Sequence, residues 1–238
     1  LIISTPRDIN LFRNLLGDGS SFGINLTYKT QEKPNGIAES FILADKFIGQ
    51  SDSTLILGDN IFYGSGFISN LNAACESKKS SIFTYSVDDP RAFGVVTLNK
   101  NGEPISIEEK PKNPTSNLAV TGLYFYDSNV VEIAKSLEPS SRGELEITDI
   151  NLKYMESGNL DIEMIGRGNA WLDTGTPDSL LQASQFIQTI QTRQGFMVAC
   201  LEEIALNKGW IDREHIEARI PLFKQTSYGA YLDKLIKE

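Results

Sequence analysis

Apolar and polar residues along the first part of the chain form blocks that predict strands and helices in turn. LIIS at 1–4 and STLILG at 53–58 are apolar runs typical of buried strands, and INLTYKT at 24–30 predicts a further strand. Residues 8–19 and 36–49 between them carry apolar side chains at helical spacing. Strand and helix therefore alternate as in an α/β sheet with crossover helices.

The middle of the chain continues this pattern and adds a hairpin. Residues 93–111 alternate around the turn NKNG, which favours an antiparallel pair. Helices are predicted at 67–78, 130–137 and 143–158, and strands at 80–87, 117–127 and 160–176. From residue 177 onward the pattern is helical. We therefore expect an α/β domain at 1–180 with a mostly parallel, mixed, Rossmann-like sheet flanked by helices, followed by a helical C-terminal appendage at 181–238.

Charge and composition narrow the possible functions. The 238 residues carry a formal net charge of −9 and show no basic run, so nucleic-acid binding is not expected. The two cysteines are far apart in the sequence and form no CxxC motif, which favours a reducing cytoplasm over a disulfide framework. No apolar run is long enough to span a bilayer, so we expect no membrane association.

Charged residues stand at the ends of several apolar runs or at the starts of helices. Asp59 follows STLILG, Asp173 ends AWLD, Glu109 and Lys110 end the hairpin, and Arg142 precedes a helix. Each alone is typical of an ordinary turn or strand end. Together they suit one task, since two strand-end carboxylates can hold Mg²⁺ while leaving coordination sites for substrate phosphates. Lys110 and Arg142 would then supply local positive charge in an acidic protein.

At this point the sequence resembles a known family. QEKPNGIAESF, LILGDNIFYG, FGVV, SIEEKPKNPTSNLAVTGLYFYD, RGELEITDINLKYME and GRGNAWLDTGT, in that order, resemble the glucose-1-phosphate thymidylyltransferases. The resemblance runs from residue 1 to the carboxyl terminus. It implies Mg²⁺-dependent transfer of a thymidylyl group from dTTP to glucose 1-phosphate, giving pyrophosphate and dTDP-glucose, a precursor of dTDP-rhamnose and polysaccharides. It also implies a cytoplasmic homotetramer.

Residue roles follow from the resemblance position by position. Asp59 and Asp173 match the metal-binding acids, and Gln31 and Gly36 match positions that recognise thymine. The sugar-phosphate pocket is matched by Gly94, Glu109, Lys110, Val120, Tyr124 and Arg142, with Trp171 as a wall of the pocket. For Tyr124 and Trp171, core packing is the competing interpretation. The attacking phosphate oxygen is already ionised, so no general base is needed. The single histidine, His215, is expected to be exposed in the helical tail.

One segment of the family pattern does not appear in this sequence. The family has a Gly-rich loop with an Arg after its first strand, followed by a Pro-Lys pair, and the loop wraps the triphosphate. This chain starts after it, so the first strand is also expected to be missing. If the 238 residues are the entire polypeptide, we expect impaired folding and little catalysis, whereas for a fragment the activity belongs to the parent protein.

Four alternatives remain open at this stage. The same chemistry with UTP is one, because a thymine methyl group contributes only about 1–3 kcal/mol of discrimination. A noncatalytic nucleotide-sugar sensor or assembly subunit is another. A metal-dependent glycosyltransferase is a third, with Asp88 and Asp89 as the nearest acidic pair. The fourth concerns the tail after residue 180, whose apolar stripes fit subunit contacts, a regulatory site or intramolecular core.

Overall fold

The computed structural model describes residues 1–237, which form ten strands and ten α-helices. The strands are β1 (Ile2–Ser4), β2 (Tyr28–Thr30), β3 (Ser53–Ile56), β4 (Asn60–Tyr63), β5 (Ser80–Ser86), β6 (Gly94–Leu98), β7 (Pro104–Glu109), β8 (Leu118–Tyr126), β9 (Leu160–Met164) and β10 (Ala170–Asp173). The helices are α1 (Ile9–Leu16), α2 (Glu39–Leu43), α3 (Asp45–Ile48), α4 (Phe67–Glu76), α5 (Val130–Lys135), α6 (Ile147–Glu156), α7 (Pro177–Gln194), α8 (Leu201–Asn207), α9 (Arg213–Arg219) and α10 (Ser227–Lys237). Short 3₁₀ helices lie at Ser20–Phe22 and Ile220–Phe223.

The described chain divides into two compact units. One is Lys33–Leu180, here named the core unit, and the other, here named the tail unit, combines Leu1–Glu32 with the residues from Leu181 onward. The sequence predicted a boundary at 180 as well, but it assigned 1–32 to the first domain. The difference has a packing origin, because Phe22 is 5% exposed and lies in one apolar cluster with Cys200, Ile216 and Leu232.

A six-stranded sheet organises the core unit. Its strands pair in the order β7-β6-β8-β5-β9, and β3 also pairs with β8. β5 and β8 lie between neighbours and bury almost all of their side chains, Phe83 completely. Helices α5 and α6 bury Val130, Ala134 and Ile150 fully. The central strands therefore form a rigid base for the loops at their ends.

The prediction of a mixed α/β sheet flanked by helices is confirmed, but its description as mostly parallel is wrong for the pairings. Within the six-stranded sheet of the described chain, only β5 and β9 pair in parallel. β8 is the reason, because it runs antiparallel to β3, β5 and β6, all of which it pairs with. The predicted hairpin is confirmed as the antiparallel pair β6-β7.

Two predicted elements are each divided in the structure. The helix expected over 36–49 is two short helices, α2 and α3, because Ala44 has ψ 0° and ends the first of them. The strand expected over 160–176 is β9 and β10, separated by a turn in which Gly168 has φ +90°. β9 pairs with β5, whereas β10 pairs with β4 in a separate two-stranded sheet. The sequence had not identified β4 as a strand.

The tail unit is mainly helical, as predicted for the end of the chain. β1 and β2 form a parallel pair, and helices α8, α9 and α10 surround the apolar cluster that contains Phe22. The cluster also contains Cys200 and Ala205, each 1% exposed. Within the described residues, no helix is both long and apolar enough to cross a membrane.

Candidate active site

A cavity of about 240 Å³ opens in the core unit where β4, β6, β7, β8, β10 and the start of α6 approach one another. Eight of the predicted site residues line it: Asp59, Gly94, Glu109, Lys110, Val120, Tyr124, Trp171 and Asp173. They come from five separate segments of the sequence. The structure therefore brings most of the predicted set to one place.

Asp59 and Asp173 lie side by side because β4 and β10 pair antiparallel. Their register places Asp173 opposite Asn60. The main-chain oxygen of Asp59 accepts hydrogen bonds from both the N–H and the hydroxyl of Thr174, each at 2.9 Å. A Cβ built on Gly175 would lie 3.0 Å from Asp173 Oδ1 and 3.8 Å from Asp59 Oδ2. One oxygen of each carboxylate therefore lies within 4 Å of the same point, and Asp173 Oδ1 also accepts a hydrogen bond from the Gly175 N–H at 2.8 Å.

This pair of carboxylates fits a magnesium ion that is also bound by a substrate. Mg²⁺ takes oxygen ligands and is commonly held through one or two carboxylates plus substrate phosphates. The space beside Gly175 is open because glycine has no Cβ there. In the part of the chain described here, no group of three or more His, Cys, Asp or Glu side chains could form a complete protein cage for a metal. The two carboxylates thus suit an ion that is also bound by a substrate, rather than a structural ion bound by the protein alone.

Glu109 is held at the cavity by two hydrogen bonds. The hydroxyl of Thr148 donates to Oε2 at 2.6 Å, and Arg142 Nη2 donates to Oε1 at 3.2 Å. Thr148 itself is 3% exposed and lines the cavity. A carboxylate fixed in this way can accept hydrogen bonds from sugar hydroxyls through its remaining lone pairs.

Arg142 lies beside the cavity and is paired mainly with Glu146. Its Nε and Nη2 donate to the two oxygens of Glu146 at 3.1 and 2.7 Å, and Ser140 Oγ donates to the same carboxylate at 2.6 Å. Burial raises the pKa of Glu146, but the bonds from Arg142 and Ser140 outweigh it and hold that pKa below the ordinary value. The same pairing raises the pKa of Arg142.

Lys110 brings a second cation to the cavity from an unusual backbone conformation. Its φ is +45°, in the left-handed region, and its N–H donates to Phe93 O at 3.0 Å. Its ammonium lies 3.9 Å from Glu109 Oε1, and the side chain is 49% exposed. A non-glycine residue held in this conformation is a feature that functional sites tend to retain.

Aromatic and aliphatic side chains form the wall of the cavity. Tyr124 is 3% exposed and stacks on Tyr126, and burial, with the nearby Glu109 and Asp59 charges, raises its pKa strongly. Trp171 is 8% exposed and meets Phe93 edge to face at 5.0 Å. Both residues therefore belong to the core and to the cavity at once, as does Val120, so the two interpretations of Tyr124 are not exclusive.

Gly94, Gly36 and Gln31 occupy different surroundings. A Cβ on Gly94 would lie 3.3 Å from Thr148 Oγ1, inside the cavity. Gly36 has φ +102°, and a Cβ there would lie 2.3 Å from Leu145 O, so the close neighbour that requires glycine is backbone. Gln31 belongs to the tail unit, where its N–H donates to Ser4 O at 2.9 Å after β2.

The sequence did not single out three residues that organise the cavity: Asn60, Thr148 and Gly122. Asn60 Oδ1 accepts from the Gly122 N–H at 2.8 Å and from Trp171 Nε1 at 2.6 Å, and its Nδ2 donates to Asp59 Oδ1 at 2.8 Å. A Cβ on Gly122 would lie 2.7 Å from the Asn60 amide. A glycine inside the strand sequence VTGLY was the available signal, because such a position often marks a close approach.

The remaining predicted acids and the histidine lie elsewhere. Asp89 forms a salt bridge with Arg91 at 2.6 Å, and the hydrogen bonds from Arg91 lower its pKa to about 2. A local contact with Arg91 thus accounts for Asp89, one acid of the pair considered for a glycosyltransferase. His215 is exposed and contacts Asp212 at the start of α9, which agrees with the exposed position expected for it.

Comparisons with known proteins identify the family of the chain. The family model for nucleotidyl transferase matches residues 1–190. A glucose-1-phosphate thymidylyltransferase from Neisseria meningitidis (serogroup A, serotype 4A) is 49% identical, and the match covers 100% of this chain and 83% of the relative.

Solved structures show the same fold. One from Bacillus anthracis, assigned by name to glucose-1-phosphate thymidylyltransferase and containing sucrose, superposes with a TM-score of 0.70 at 40% identity, covering 78% of this chain and 74% of that one. A UDP-glucose pyrophosphorylase complexed with UDP-glucose shares the fold at 20% identity and a TM-score of 0.62, covering 68% of this chain and 66% of that one. The chain belongs to the nucleotidyl transferase family and, within it, to the glucose-1-phosphate thymidylyltransferases.

Proposed function

We propose that the protein transfers a thymidylyl group from dTTP to glucose 1-phosphate with the help of Mg²⁺. A phosphate oxygen of glucose 1-phosphate forms a bond to the α-phosphorus of dTTP, and the bond from that phosphorus to the β-phosphate oxygen breaks. The products are dTDP-glucose and pyrophosphate. The observation that carries the proposal is the convergence of Asp59 and Asp173 beside Gly175, in the same cavity as Glu109 and Lys110.

The metal site in this proposal consists of Asp59 and Asp173. Bound Mg²⁺ would neutralise charge on the nucleotide phosphates and orient them. The two carboxylates hold their positions through the β4-β10 pairing and the Thr174 contacts. Because these backbone hydrogen bonds hold both carboxylates in place, little reorganisation is needed when a ligand binds.

Glu109, Lys110 and Arg142 would bind the sugar phosphate. Glu109 accepts hydrogen bonds from sugar hydroxyls, and Lys110 with Arg142 offsets the phosphate charge. Arg142 already has Glu146 as a bidentate partner, so it contributes as a fixed, partly neutralised cation. Gly94 and Val120 would let the sugar approach the backbone, and Tyr124 and Trp171 would wall the cavity. These roles need no general base, because the nucleophile is an ionised phosphate oxygen.

The nucleotide base is proposed from the family alone, and the assembly is proposed from the family together with one structural observation. Gln31 and Gly36 would recognise thymine, and the protein would form a homotetramer. Large apolar side chains exposed in the tail unit, such as Leu201 and Ile204 at 42% each, support subunit contacts there. Light scattering on Leu201→Glu and Ile204→Glu variants would test this, with a smaller assembly expected and an unchanged one contradicting it.

The reaction itself is tested by following the nucleotide. The protein is incubated with Mg²⁺, glucose 1-phosphate and dTTP labelled at the α-phosphorus, and the label is expected in dTDP-glucose. A parallel reaction with UTP serves as the comparison, and we expect a slower rate. A faster rate with UTP would reassign the nucleotide, and label retained only in dTTP or a nonproductive complex would indicate a binding subunit.

A further inference from the structure

Asn60 uses every polar group of its side chain in the cavity, with two partners from distant segments and one from the preceding residue. Its oxygen accepts from the Gly122 N–H in β8 and from the Trp171 indole in β10, at 2.8 and 2.6 Å. Its amide nitrogen donates to Asp59 Oδ1 at 2.8 Å. An asparagine in an ordinary turn needs only one hydrogen bond between its side-chain oxygen and a backbone N–H.

The geometry points to Asn60 as a positioning residue that sets the orientation of the Asp59 carboxylate, an inference that rests on the proposed function. Since Asn60 Nδ2 engages Oδ1, the Asp59 carboxylate is oriented so that Oδ2 lies 3.8 Å from the point beside Gly175 that Asp173 also faces. Asn60 cannot turn its amide to donate elsewhere without losing the two bonds that its oxygen accepts. Its orientation is therefore fixed by Gly122 and Trp171.

Gly122 leaves room for this arrangement because it has no side chain. A Cβ on Gly122 would lie 2.7 Å from both Cγ and Oδ1 of Asn60, closer than non-bonded atoms approach. The glycine thus allows the Asn60 amide to reach the backbone of β8. Hydrogen-bond partners of metal ligands typically change metal affinity or activity 10–100-fold when they are removed.

Asn99 offers a matched control elsewhere in the core unit. Its oxygen also accepts two N–H groups, from Asn101 and Glu103 at 2.8 and 3.0 Å, and its amide donates to Glu103 Oε2 at 2.8 Å. This side chain lies in the exposed turn of the β6-β7 hairpin. Asn99→Ala therefore removes the same set of bonds without touching the cavity.

The first test reads metal binding without catalysis. The sequence has two tryptophans, so Trp210→Phe leaves Trp171 as the only indole, and titration with Mn²⁺ alone should quench its emission. We expect Asn60→Ala to raise the half-saturating Mn²⁺ concentration at least about 10-fold. Asn99→Ala should leave it unchanged, and Asp59→Asn should abolish the quenching. If Asn60→Ala gave the same Mn²⁺ quenching curve as the Trp210→Phe protein with Asn60 intact, the inference would be overturned.

A second variant covers the case in which Asn60→Ala does not fold. Asn60→Asp keeps the side-chain oxygen that accepts from Gly122 and Trp171. It replaces the amide nitrogen that donates to Asp59 with a carboxylate oxygen, which cannot donate. We expect kcat for pyrophosphate release to fall about 10–100-fold, with the KM for glucose 1-phosphate within about threefold and the melting temperature close to that of Asn99→Asp. Full activity would show that Asn60 only holds the fold.

The two claims fail in different ways. If the protein without substitutions shows neither Mn²⁺ quenching nor pyrophosphate release, the proposed function is refuted and the positioning role with it. Quenching in the parent that is unaffected by Asn60→Ala, or turnover unaffected by Asn60→Asp, would refute the positioning role alone.

Discussion

Gly122 is the residue at which a single added methyl group would disturb the cavity most directly. It lies inside β8, and its missing Cβ leaves space for Asn60 and for Leu57, which would otherwise be 2.7 and 2.8 Å away. We predict that Gly122→Ala lowers the free energy of unfolding by about 1–3 kcal/mol, because a packed site cannot absorb the extra volume. Urea unfolding measures this.

Gly166→Ala is the control for that substitution, because nothing lies within 4 Å of a Cβ at Gly166. The control should change the free energy of unfolding by less than about 0.5 kcal/mol. Equal effects of the two substitutions would show that the Asn60 contact does not restrict Gly122.

The Arg142–Glu146 pair gives the unfolding free energy a defined dependence on pH. The folded-state pKa of Glu146 is lowered, so the pair stabilises the protein above the ordinary carboxyl pKa of 4.5, and this stabilisation is lost as the pH falls through the lower folded value. Glu146→Gln should therefore be less stable than the parent near neutral pH, and the gap should narrow between about pH 6 and pH 3. Thermal unfolding across this range tests the prediction, and a constant gap would contradict it.

At the scale of elements, the central strand β5 contributes more to stability than β3. Phe83 in β5 is fully buried and packs against Phe67 and Phe125, whereas Ile56 at the end of β3 is 57% exposed. We predict that Phe83→Ala costs about 3–5 kcal/mol of unfolding free energy. Ile56→Ala should cost well under about 1 kcal/mol. Denaturant unfolding measures the unfolding free energy of both variants. Similar losses of unfolding free energy would contradict the larger contribution of β5.

Local patterns predicted most elements because the relevant information lies within a few residues. The hairpin over 93–111 follows from its turn, and α6 is followed by Gly158 in the left-handed conformation, as glycine allows. The break at Ala44 was missed, since both short helices keep apolar residues at helical spacing. The run at 160–176 was predicted as one strand because both parts are apolar, although they join different sheets.

The site could be predicted in part for a related reason. Asp59 and Asp173 carry visible chemistry at strand ends, so single positions were sufficient to suggest them. Asn60 acquires its role only from contacts with Gly122 and Trp171, which are 62 and 111 residues away in the sequence. Periodicity holds no information on such distant pairings. Arg142 was identified, but its partner Glu146 was not, because a neighbouring acid looks like an ordinary helix start.

At the scale of the whole molecule, each unit contains one cysteine, and the reactivity of its thiol tests how that unit packs around it. Cys75 is exposed on α4, whereas Cys200 is 1% exposed in the tail unit, and burial there raises the pKa of its thiol. Both effects reduce the thiolate that reacts with disulfide reagents. We predict that one thiol reacts rapidly in the native protein and the second only after denaturation.

Titration with an aromatic disulfide, with and without denaturant, tests this, and Cys75→Ser should remove the rapid phase. Two rapid thiols in the native chain would show that the tail unit does not bury Cys200.

In the proposed function, Asp59 and Asp173 together hold the metal for nucleotidyl transfer. The decisive measurement is pyrophosphate release from dTTP and glucose 1-phosphate with Mg²⁺, made on the protein and on its Asp59→Asn, Asp173→Asn and surface-control Asp161→Asn variants. We predict release by the protein and by the control, and a loss of at least about 100-fold in each site variant, since a metal ligand contributes several kcal/mol to the transition state. Release that persists in Asp59→Asn or Asp173→Asn would show that these carboxylates do not hold a catalytic metal.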